Sequence, residues 1–194
     1  MQKLRGHAEE MQERLAEYKI GTGAIEKVLE STRNLRSQVS SVLTRMAADS
    51  VDIFDQNYKP VNGSNLQKVT TCYDERFESE LQKVFDQALG NTPGGIYMLA
   101  VDRHGYLPCH HAKFSQPETG DREVDLLGSR HKRIYRNSEA EIRRAENSEA
   151  DVLLQTFIRD TGEILNDLSI PIRVNGKHWG AIIVGLKPES LKQE

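Results

Sequence analysis

The 194-residue sequence predicts an α+β fold: a long N-terminal helix followed by a five-stranded antiparallel sheet that carries helices on one face. Two observations on periodicity predict it, namely heptad spacing of apolar residues up to residue 46 and short apolar or alternating runs from residue 96 to 186. A third is the pair of tight-turn signals between the last three runs. Strands joined by tight turns are antiparallel neighbours, so we expect a meander into which helices are inserted.

The N-terminal region carries two heptad series separated by the glycine-containing break at residues 21–23. The first series comprises Leu4, Ala8, Met11, Leu15 and Tyr18, and the second comprises Ile25, Val28, Thr32, Leu35, Val39, Val42 and Met46. An amphipathic helix in water cannot cover its own apolar stripe. Residues 1–50 are therefore expected to form a helical stalk or coiled coil that pairs with a second copy; packing on the chain's own domain is the alternative.

Residues 51–95 are expected to form a linker loop and a helix that lead into the sheet domain. Turn-forming residues collect around Pro60 and Gly63. The following helix is predicted to begin at Asp74, which can cap it, and to end near Leu89, before a stretch rich in glycine and proline.

Residues 96–188 are expected to form one domain around the sheet. The five predicted strands are residues 96–101, 106–114, 152–159, 163–174 and 178–186. Two short helices are expected between the second and third strands, around residues 122–127 and 138–145. Asp160-Thr161-Gly162 and Asn175-Gly176 supply the two hairpin turns.

Composition excludes several classes of protein. With 26 basic and 29 acidic residues and a formal net charge of −3, the chain has no broad positive field, so nucleic acid is not expected as a partner. Cys72 and Cys109 form no CxxC pair and are expected to be free thiols in a reducing compartment. No run of 18 apolar residues is present and the first residues are too charged for a signal peptide, so we expect a soluble chain, with a membrane span beyond it left open.

The basic segment at residues 130–133 is the strongest candidate for a ligand site. Arg130 and Arg133 offer forked guanidinium donors, and with Lys132 and the phenol of Tyr135 they suit a carboxylate or a similar anion. The ordinary alternative is a solvated basic surface that pairs with nearby acidic residues such as Asp125.

Three further side chains are candidates for the same pocket. Tyr106 and His110 lie four residues apart, which places them on one face of the predicted second strand. Tyr106 is equally expected as a core-edge aromatic whose hydroxyl binds backbone. Asp167, on an inner strand, either accepts a ligand's amino group or pairs with an arginine such as Arg159.

The histidine cluster raises a metal or haem hypothesis. His104, Cys109, His110 and His111 fall within eight residues, and imidazole with thiolate is a known ligand set for zinc and haem. Adjacent histidines on a strand point to opposite faces, however, so we expect no metal and no cofactor. Nor do we expect an enzyme, because the common nucleophile, nucleotide and zinc motifs are missing. A purely structural dimerisation module is the remaining alternative.

Several stretches resemble a sensor module found in bacterial methyl-accepting chemotaxis proteins. They are residues 96–111 (IYMLAVDRHGYLPCHH), 114–117 (FSQP), 119–121 (TGD), Asp125, 130–135 (RHKRIY), 154–163 (LQTFIRDTGE), 167–172 (DLSIPI) and 178–180 (HWG). Residues 15–20 (LAEYKI) are similar to the tail of the signalling coiled coil of such receptors. The chain departs from the pattern at residues 109–111, where the family has a smaller polar residue followed by His-Asn, and this bears on the ligand.

The resemblance implies a PAS-like Cache fold for residues 96–188 and a role in chemotaxis. A small-molecule ligand, in the first instance a small organic acid, would be recognised and its signal passed through the helical stalk. The resemblance also implies a homodimer through the N-terminal helices, the rest of the receptor's signalling bundle as a partner, and no catalysis. As a C-terminal extension of a receptor the module would be cytoplasmic; an extracytoplasmic sensor between membrane spans is the alternative.

Overall fold

A computed structural model describes residues 22–191 of the chain. The first heptad series, Leu4 to Tyr18, lies outside the described residues. Within them the helices are α1 Thr22–Ala48, α2 Asp74–Gly90, α3 Arg122–Gly128 and α4 Glu139–Glu146, with short 3-10 turns at Ala112–Phe114 and Pro188–Leu191. The strands are β1 Lys59–Pro60, β2 Val69–Thr70, β3 Gly95–Asp102, β4 Tyr106–Leu107, β5 Arg133–Ile134, β6 Leu153–Ile158, β7 Ile164–Val174 and β8 Lys177–Leu186.

The main sheet has four antiparallel strands in the order β3-β8-β7-β6. Two of its connections are the predicted hairpins: Gly162 adopts φ 81° in the β6–β7 turn, and Asn175 and Gly176 adopt φ 50° and 78° in the β7–β8 turn. The expectation of five strands in one sheet is wrong. Two further pairs, β1 with β2 and β4 with β5, form separate two-stranded ribbons.

The second predicted strand, residues 106–114, is where the sheet prediction fails. Its strand part is only Tyr106–Leu107, which pairs with β5 and not with the main sheet. Pro108 follows directly and has no N–H with which to continue a ladder. The chain then turns into the 3-10 segment Ala112–Phe114.

Helix α1 packs on one face of the main sheet. Its buried positions are Val28, Thr32, Leu35, Val39, Val42, Leu43 and Met46. They lie over β7 and β8, where Leu168, Ile170 and Ile172 alternate toward the same face and are fully buried. The second heptad series is therefore covered by the chain's own domain. This is the alternative that the sequence analysis gave to pairing with a second copy. The helix also runs through Thr22 and Gly23, so the predicted break does not extend to these two residues.

An aromatic cluster holds α2 to the sheet on this same side. Phe77 stacks on Trp179 with ring centroids 5.7 Å apart, and Tyr73 meets Trp179 edge-on at 6.3 Å. Trp179 Nε1 donates to the carbonyl of Ile53 at 2.8 Å, which ties the loop after α1 to the sheet. Asp74 opens α2 but does not cap it: its carboxylate accepts from the hydroxyl of Thr71 at 2.5 Å.

The opposite face of the sheet is covered by the insert between β4 and β6, residues 108–152. Helix α4 of this insert lies against β6, β7 and β8. Helices therefore cover both faces, not one as the sequence suggested, and the space between α4 and the sheet is where polar groups are buried. No helix in the described part of the chain is long and apolar enough to cross a membrane.

Candidate functional site

A small cavity lies between the main sheet and the insert. The space between its walls, including the mouth, is about 350 Å³. Strand β3, the β4–β5 ribbon, helix α4 and the β6–β7 turn all contribute to it. Its lining residues are Tyr97, Leu99, Leu107, His110, Arg130, Tyr135, Glu141, Arg144, Arg159, Asp160 and Ile183.

Two arginines of the basic segment converge on one carboxylate at this cavity. Arg130 Nη2 donates to Oδ1 of Asp160 at 2.7 Å, and Arg133 Nη2 lies 3.6 Å from Oδ2 of the same residue. Both arginine side chains are largely buried, 6% and 14% exposed. Asp160 belongs to the β6–β7 turn, so this contact fastens the tip of the hairpin to the insert.

Tyr135 positions the two guanidinium groups. Its ring centroid lies 5.5 Å from Cζ of Arg130 and 4.9 Å from Cζ of Arg133. Its hydroxyl donates to the carbonyl of Arg130 at 2.9 Å and accepts from Arg133 Nη1 at 3.2 Å. Burial raises the pKa of Tyr135 although the two arginines oppose this, so the phenol stays protonated at neutral pH.

The backbone of the basic segment explains why its side chains separate. The segment is not helical: Lys132 adopts φ 60°, in the left-handed region. Arg130 and Arg133 lie on the cavity side, while His131 and Lys132 line a groove on the other side. The three-residue spacing therefore brings the two arginines together by a bend at Lys132.

A second charged pair forms the inner wall. Arg144 Nη1 lies 2.9 Å from Oδ1 of Asp167, and Tyr97 donates its hydroxyl proton to the same oxygen at 2.7 Å. Asp167 is fully buried and the Arg144 side chain is 5% exposed. Arg159 completes the wall, with Cζ 5.6 Å from the ring centroid of Tyr97. Tyr97 has room on this face because Gly185 lies opposite it in the sheet.

His110 presents a neutral donor to the cavity. Its Nδ1 accepts from the backbone N–H of His111 at 2.7 Å, so in the neutral ring the proton is on Nε2. Burial lowers the pKa of His110, and the charges of His111 and Arg130 lower it further. The imidazole is therefore uncharged at neutral pH.

His111 is a structural link. Its Nε2 accepts from the backbone N–H of Met98 at 3.1 Å, so Nδ1 carries the proton and donates to Oδ1 of Asp86 at 2.9 Å. Burial raises the pKa of the neighbouring Cys109 thiol. Within residues 22–191 no group of three or more His, Cys, Asp or Glu side chains is placed to hold a metal ion.

The predicted site residues divide into two groups. Arg130, Tyr135 and His110 line the cavity, and Arg133 lies directly behind Tyr135. Lys132 lies on the other side of the segment, with Nζ 3.9 Å from Oε2 of Glu78.

Tyr106 and Asp167 follow the alternatives given for them: the hydroxyl of Tyr106 lies 3.1 Å from the backbone carbonyl of Val69, and Asp167 pairs with an arginine. Tyr106 is fully buried and its hydroxyl lies 2.7 Å from Oδ2 of Asp74, so it does not share a face with His110; Leu107 lines the cavity in its place. The strand ends at Leu107, so alternation does not carry on to residue 110. Asp167 pairs with Arg144 and not with Arg159.

The residues that sequence reasoning missed are Tyr97, Glu141, Arg144, Arg159 and Asp160 as wall residues. A weak signal existed for one of them: Arg144 lies on the same helical face as Glu141 and Ala140, three and four residues earlier. Nothing local distinguishes Asp160, which the sequence marked as a turn residue only.

Comparisons with known proteins do not assign this chain to a family. No protein-family model matches the chain, and no curated protein matches it. Among solved structures the chain is similar to an extracellular ligand binding receptor from Desulfohalobium retbaense DSM5692, with a TM-score of 0.40 and 11% identity. The match covers 88% of this chain and 26% of that one, so the chain spans about a quarter of the length of that receptor.

Proposed function

We propose that this chain is a sensory domain that binds a small carboxylate in the cavity between the sheet and the insert. One observation carries the proposal: Arg130 and Arg133, held by Tyr135, converge on the carboxylate of Asp160. A guanidinium pair that already holds a carboxylate has the geometry to hold a ligand's carboxylate in its place.

The charges at the cavity indicate where an anionic ligand would bind. Arg144 is matched by Asp167, and Arg159 pairs with Glu163 at 2.8 Å. Arg130 and Arg133 share the single carboxylate of Asp160. Glu141 also lines the cavity, with Oε1 4.0 Å from Nη2 of Arg144, so the four arginines around the cavity face four carboxylates. A ligand carboxylate would therefore bind by taking the place of Asp160 between Arg130 and Arg133.

The free space favours a ligand of few heavy atoms. The cavity measures only about 350 Å³ with its mouth included. Leu99, Leu107 and Ile183 form the apolar part of the wall. An acid the size of acetate or lactate fits if Asp160 withdraws from the arginines.

The fold offers a route from ligand to signal. Tyr97 and Asp167 at the cavity and Leu168 and Ile170 under α1 belong to the same two strands, β3 and β7, on opposite faces. Ligand capture that draws the insert toward the sheet would shift α1 by an ångström or two, a known scale for switching. We propose that this shift serves chemotaxis through a paired N-terminal stalk and a receptor signalling bundle in the cytoplasm, without catalysis.

Calorimetric binding of small carboxylates to the full chain tests the proposal. Acetate, lactate, pyruvate and succinate are first ranked by thermal shift, where a ligand at about 100 times its Kd adds about 2.7 kcal/mol of stability. Arg130→Met and Arg133→Gln should each weaken the best ligand by about tenfold or more, because each removes a charge-assisted hydrogen bond. Arg136→Met is the matched control, since Arg136 is an exposed arginine of the same insert that pairs with Glu146.

Two results with the acid panel and the cavity variants would refute the proposal, and a third would do so through the control. One is the absence of any thermal shift with the whole panel at millimolar concentration, which fits a purely structural module. The other is equal binding by wild type and by both cavity variants while all proteins remain folded by circular dichroism. A loss of binding in Arg136→Met as large as that in Arg130→Met would likewise assign the effect to net charge.

A further inference from the structure

A second concave surface lies on the other side of the basic segment. It is a groove of about 940 Å³, open space at its mouth included, between residues 61–70, the loop at 115–118 and residues 131–132. Arg130 and Arg133 do not line it, and both contact Asp160 on the cavity side of the segment. The groove is therefore separate from the proposed carboxylate site.

The floor of this groove contains a buried ammonium group. Lys68 is 6% exposed, and its Nζ donates to Oγ of Ser129 at 2.7 Å and lies 3.4 Å from Nδ1 of His131. Both partners are uncharged. No carboxylate oxygen of a described residue lies within 4.0 Å of this Nζ. A buried cation without a contacting anion is unusual, because such charges are ordinarily paired.

Burial lowers the pKa of Lys68, and the charge of Glu118 opposes this without contacting the ammonium group. Glu118 accepts from the hydroxyl of Ser64 at 2.7 Å through Oε1 and from the backbone N–H of Asn65 at 2.9 Å through Oε2. It therefore shapes the loop that forms one wall of the groove. Lys132 adds a second ammonium group at the rim, and its Nζ is 3.9 Å from Glu78, at the outer limit of an ion pair.

His131 adds a neutral donor. Because Nδ1 faces the ammonium of Lys68 and accepts from it, the ring proton is on Nε2. Burial, together with the charges of Lys68 and Lys132, lowers the pKa of His131 to about 4, so the ring is uncharged at neutral pH. Thr70 and Ser115 also line the groove, and their hydroxyls donate to the backbone carbonyls of Lys59 and His110.

We propose that this groove binds a phosphate group, held by Lys68 and Lys132 with His131 as a further donor. Lysines act as point charges that suit a tetrahedral oxyanion from several directions, whereas the forked arginines of the cavity suit a planar carboxylate. The groove is also open enough for the organic part of a phosphate monoester. The chain would then carry two anion sites of different chemistry on the two sides of one four-residue segment.

Titration of the full chain with inorganic phosphate, followed by NMR of ring-labelled histidines at constant ionic strength, tests this. The His131 resonances should shift and saturate with a Kd of about 1 mM or tighter, whereas those of His111, which is buried away from the groove, should not. Lys68→Met and Lys132→Gln should each weaken binding by about fivefold or more. Lys113→Gln, an exposed lysine of the same insert, is the control and should bind like wild type.

The outcomes separate the possibilities. Glycerol phosphate binding more tightly than inorganic phosphate would support a monoester as the natural occupant; equal binding would support the free ion. Absence of a His131 shift at about 20 mM phosphate overturns the proposal. So does binding that is unchanged in Lys132→Gln, the rim variant in which no buried contact is lost. Acetate shifting His131 as strongly as phosphate would also overturn it, since the groove would then lack the specificity claimed.

Discussion

The two faces of the main sheet are covered in opposite ways. On the α1 side, the contact is apolar: Phe77, Trp179, Leu43 and Met46 are all buried, and the buried hydroxyl of Thr32 donates to the Val28 carbonyl within the helix. On the insert side, the sheet meets buried charges, with Arg144 on Asp167 and Arg130 on Asp160.

Because of this difference, we expect the α1 face to contribute mainly to stability and the insert face mainly to the proposed ligand recognition. An apolar contact loses energy gradually as atoms are removed, and its neighbours partly relax. A buried ion pair behaves differently, because loss of one partner leaves an uncompensated charge. The insert face is therefore the one on which a small change in charge, such as a bound anion, has a large effect. The α1 face is held by apolar contacts, so we expect it to respond less to such a change.

Breaking the inner ion pair should produce the largest effect. We expect Arg144→Met to lower the free energy of unfolding by about 3–5 kcal/mol, because Asp167 remains fully buried without its cation. Chemical denaturation at neutral pH measures this.

The double variant Arg144→Met/Asp167→Leu distinguishes charge from packing. It should recover most of the loss, since replacing both members of a buried pair by apolar groups is often near neutral. A double variant as unstable as the single one would show that the packing of the Arg144 side chain, and not its charge, stabilises this face.

A smaller effect is expected where the sheet makes room for the cavity wall. A Cβ at residue 185 would lie 2.4 Å from the Tyr97 ring, so Gly185→Ala must push the tyrosine toward the cavity. We expect a loss of about 1–3 kcal/mol in stability, typical of overpacking, together with weaker ligand binding. Gly176→Ala is the control: a Cβ there meets no atom within 4 Å, so it should leave ligand affinity unchanged although its left-handed backbone is strained. Unchanged affinity in Gly185→Ala would show that Tyr97 does not set the cavity's shape.

The parts of the fold that the sequence predicts are those specified locally. Strands β6, β7 and β8 follow from their apolar runs and from turn residues such as Gly162 and Asn175, whose positive φ values are those that hairpin turns need. The buried stripe of α1 follows from heptad spacing. The spacing does not show which surface covers the stripe, because a second copy of the chain and the chain's own sheet would bury the same positions.

The parts that failed depend on distant contacts. Tyr106 was placed on the ligand side by strand alternation, but Pro108 ends the strand and the hydroxyl turns to Asp74 in the core. Arg144 and Asp160 are separated by 16 positions and meet at the cavity only through packing of α4 and the β6–β7 turn on the same sheet. The sequence alone could not show that the backbone of the basic segment bends at Lys132. This bend places neighbouring side chains on opposite sides of the segment.

The next largest expected effect is on the affinity for small carboxylates. If Asp160 occupies the carboxylate position, Asp160→Asn should bind small carboxylates about five- to tenfold more tightly, or about 1 kcal/mol, because the ligand no longer displaces a charged competitor. Isothermal titration with the best acid from the panel measures this, and Asp151→Asn, which removes an exposed carboxylate just before β6, is the control. Weaker binding in Asp160→Asn would show that Asp160 contacts the ligand as a partner, as it would with an ammonium group.

The smallest effect is a pH dependence at the groove side of the segment. The pKa of His131 is about 4 in the folded chain, lowered by burial and by Lys68 and Lys132, against about 6.5 in the unfolded chain. As pH falls below 6.5 the unfolded chain takes up this proton first, so the stabilising contribution is complete above about pH 7 and declines toward pH 4.

The difference between wild type and His131→Gln isolates this contribution. The other buried histidines and the buried carboxylates Asp74 and Asp102 titrate in both proteins, so their effects cancel in the comparison. Between pH 7 and pH 6 we expect wild type to lose about 0.5 kcal/mol more than the variant, a value reduced for screening by solvent because the ring is only partly buried. His104→Gln, in the β3–β4 turn, controls for the loss of a histidine as such. Equal slopes for wild type and His131→Gln would mean that the ring is already solvated in the folded chain. The neutral donor assigned to the groove would then be a protonated one below pH 6.5, and phosphate would bind more tightly in acid.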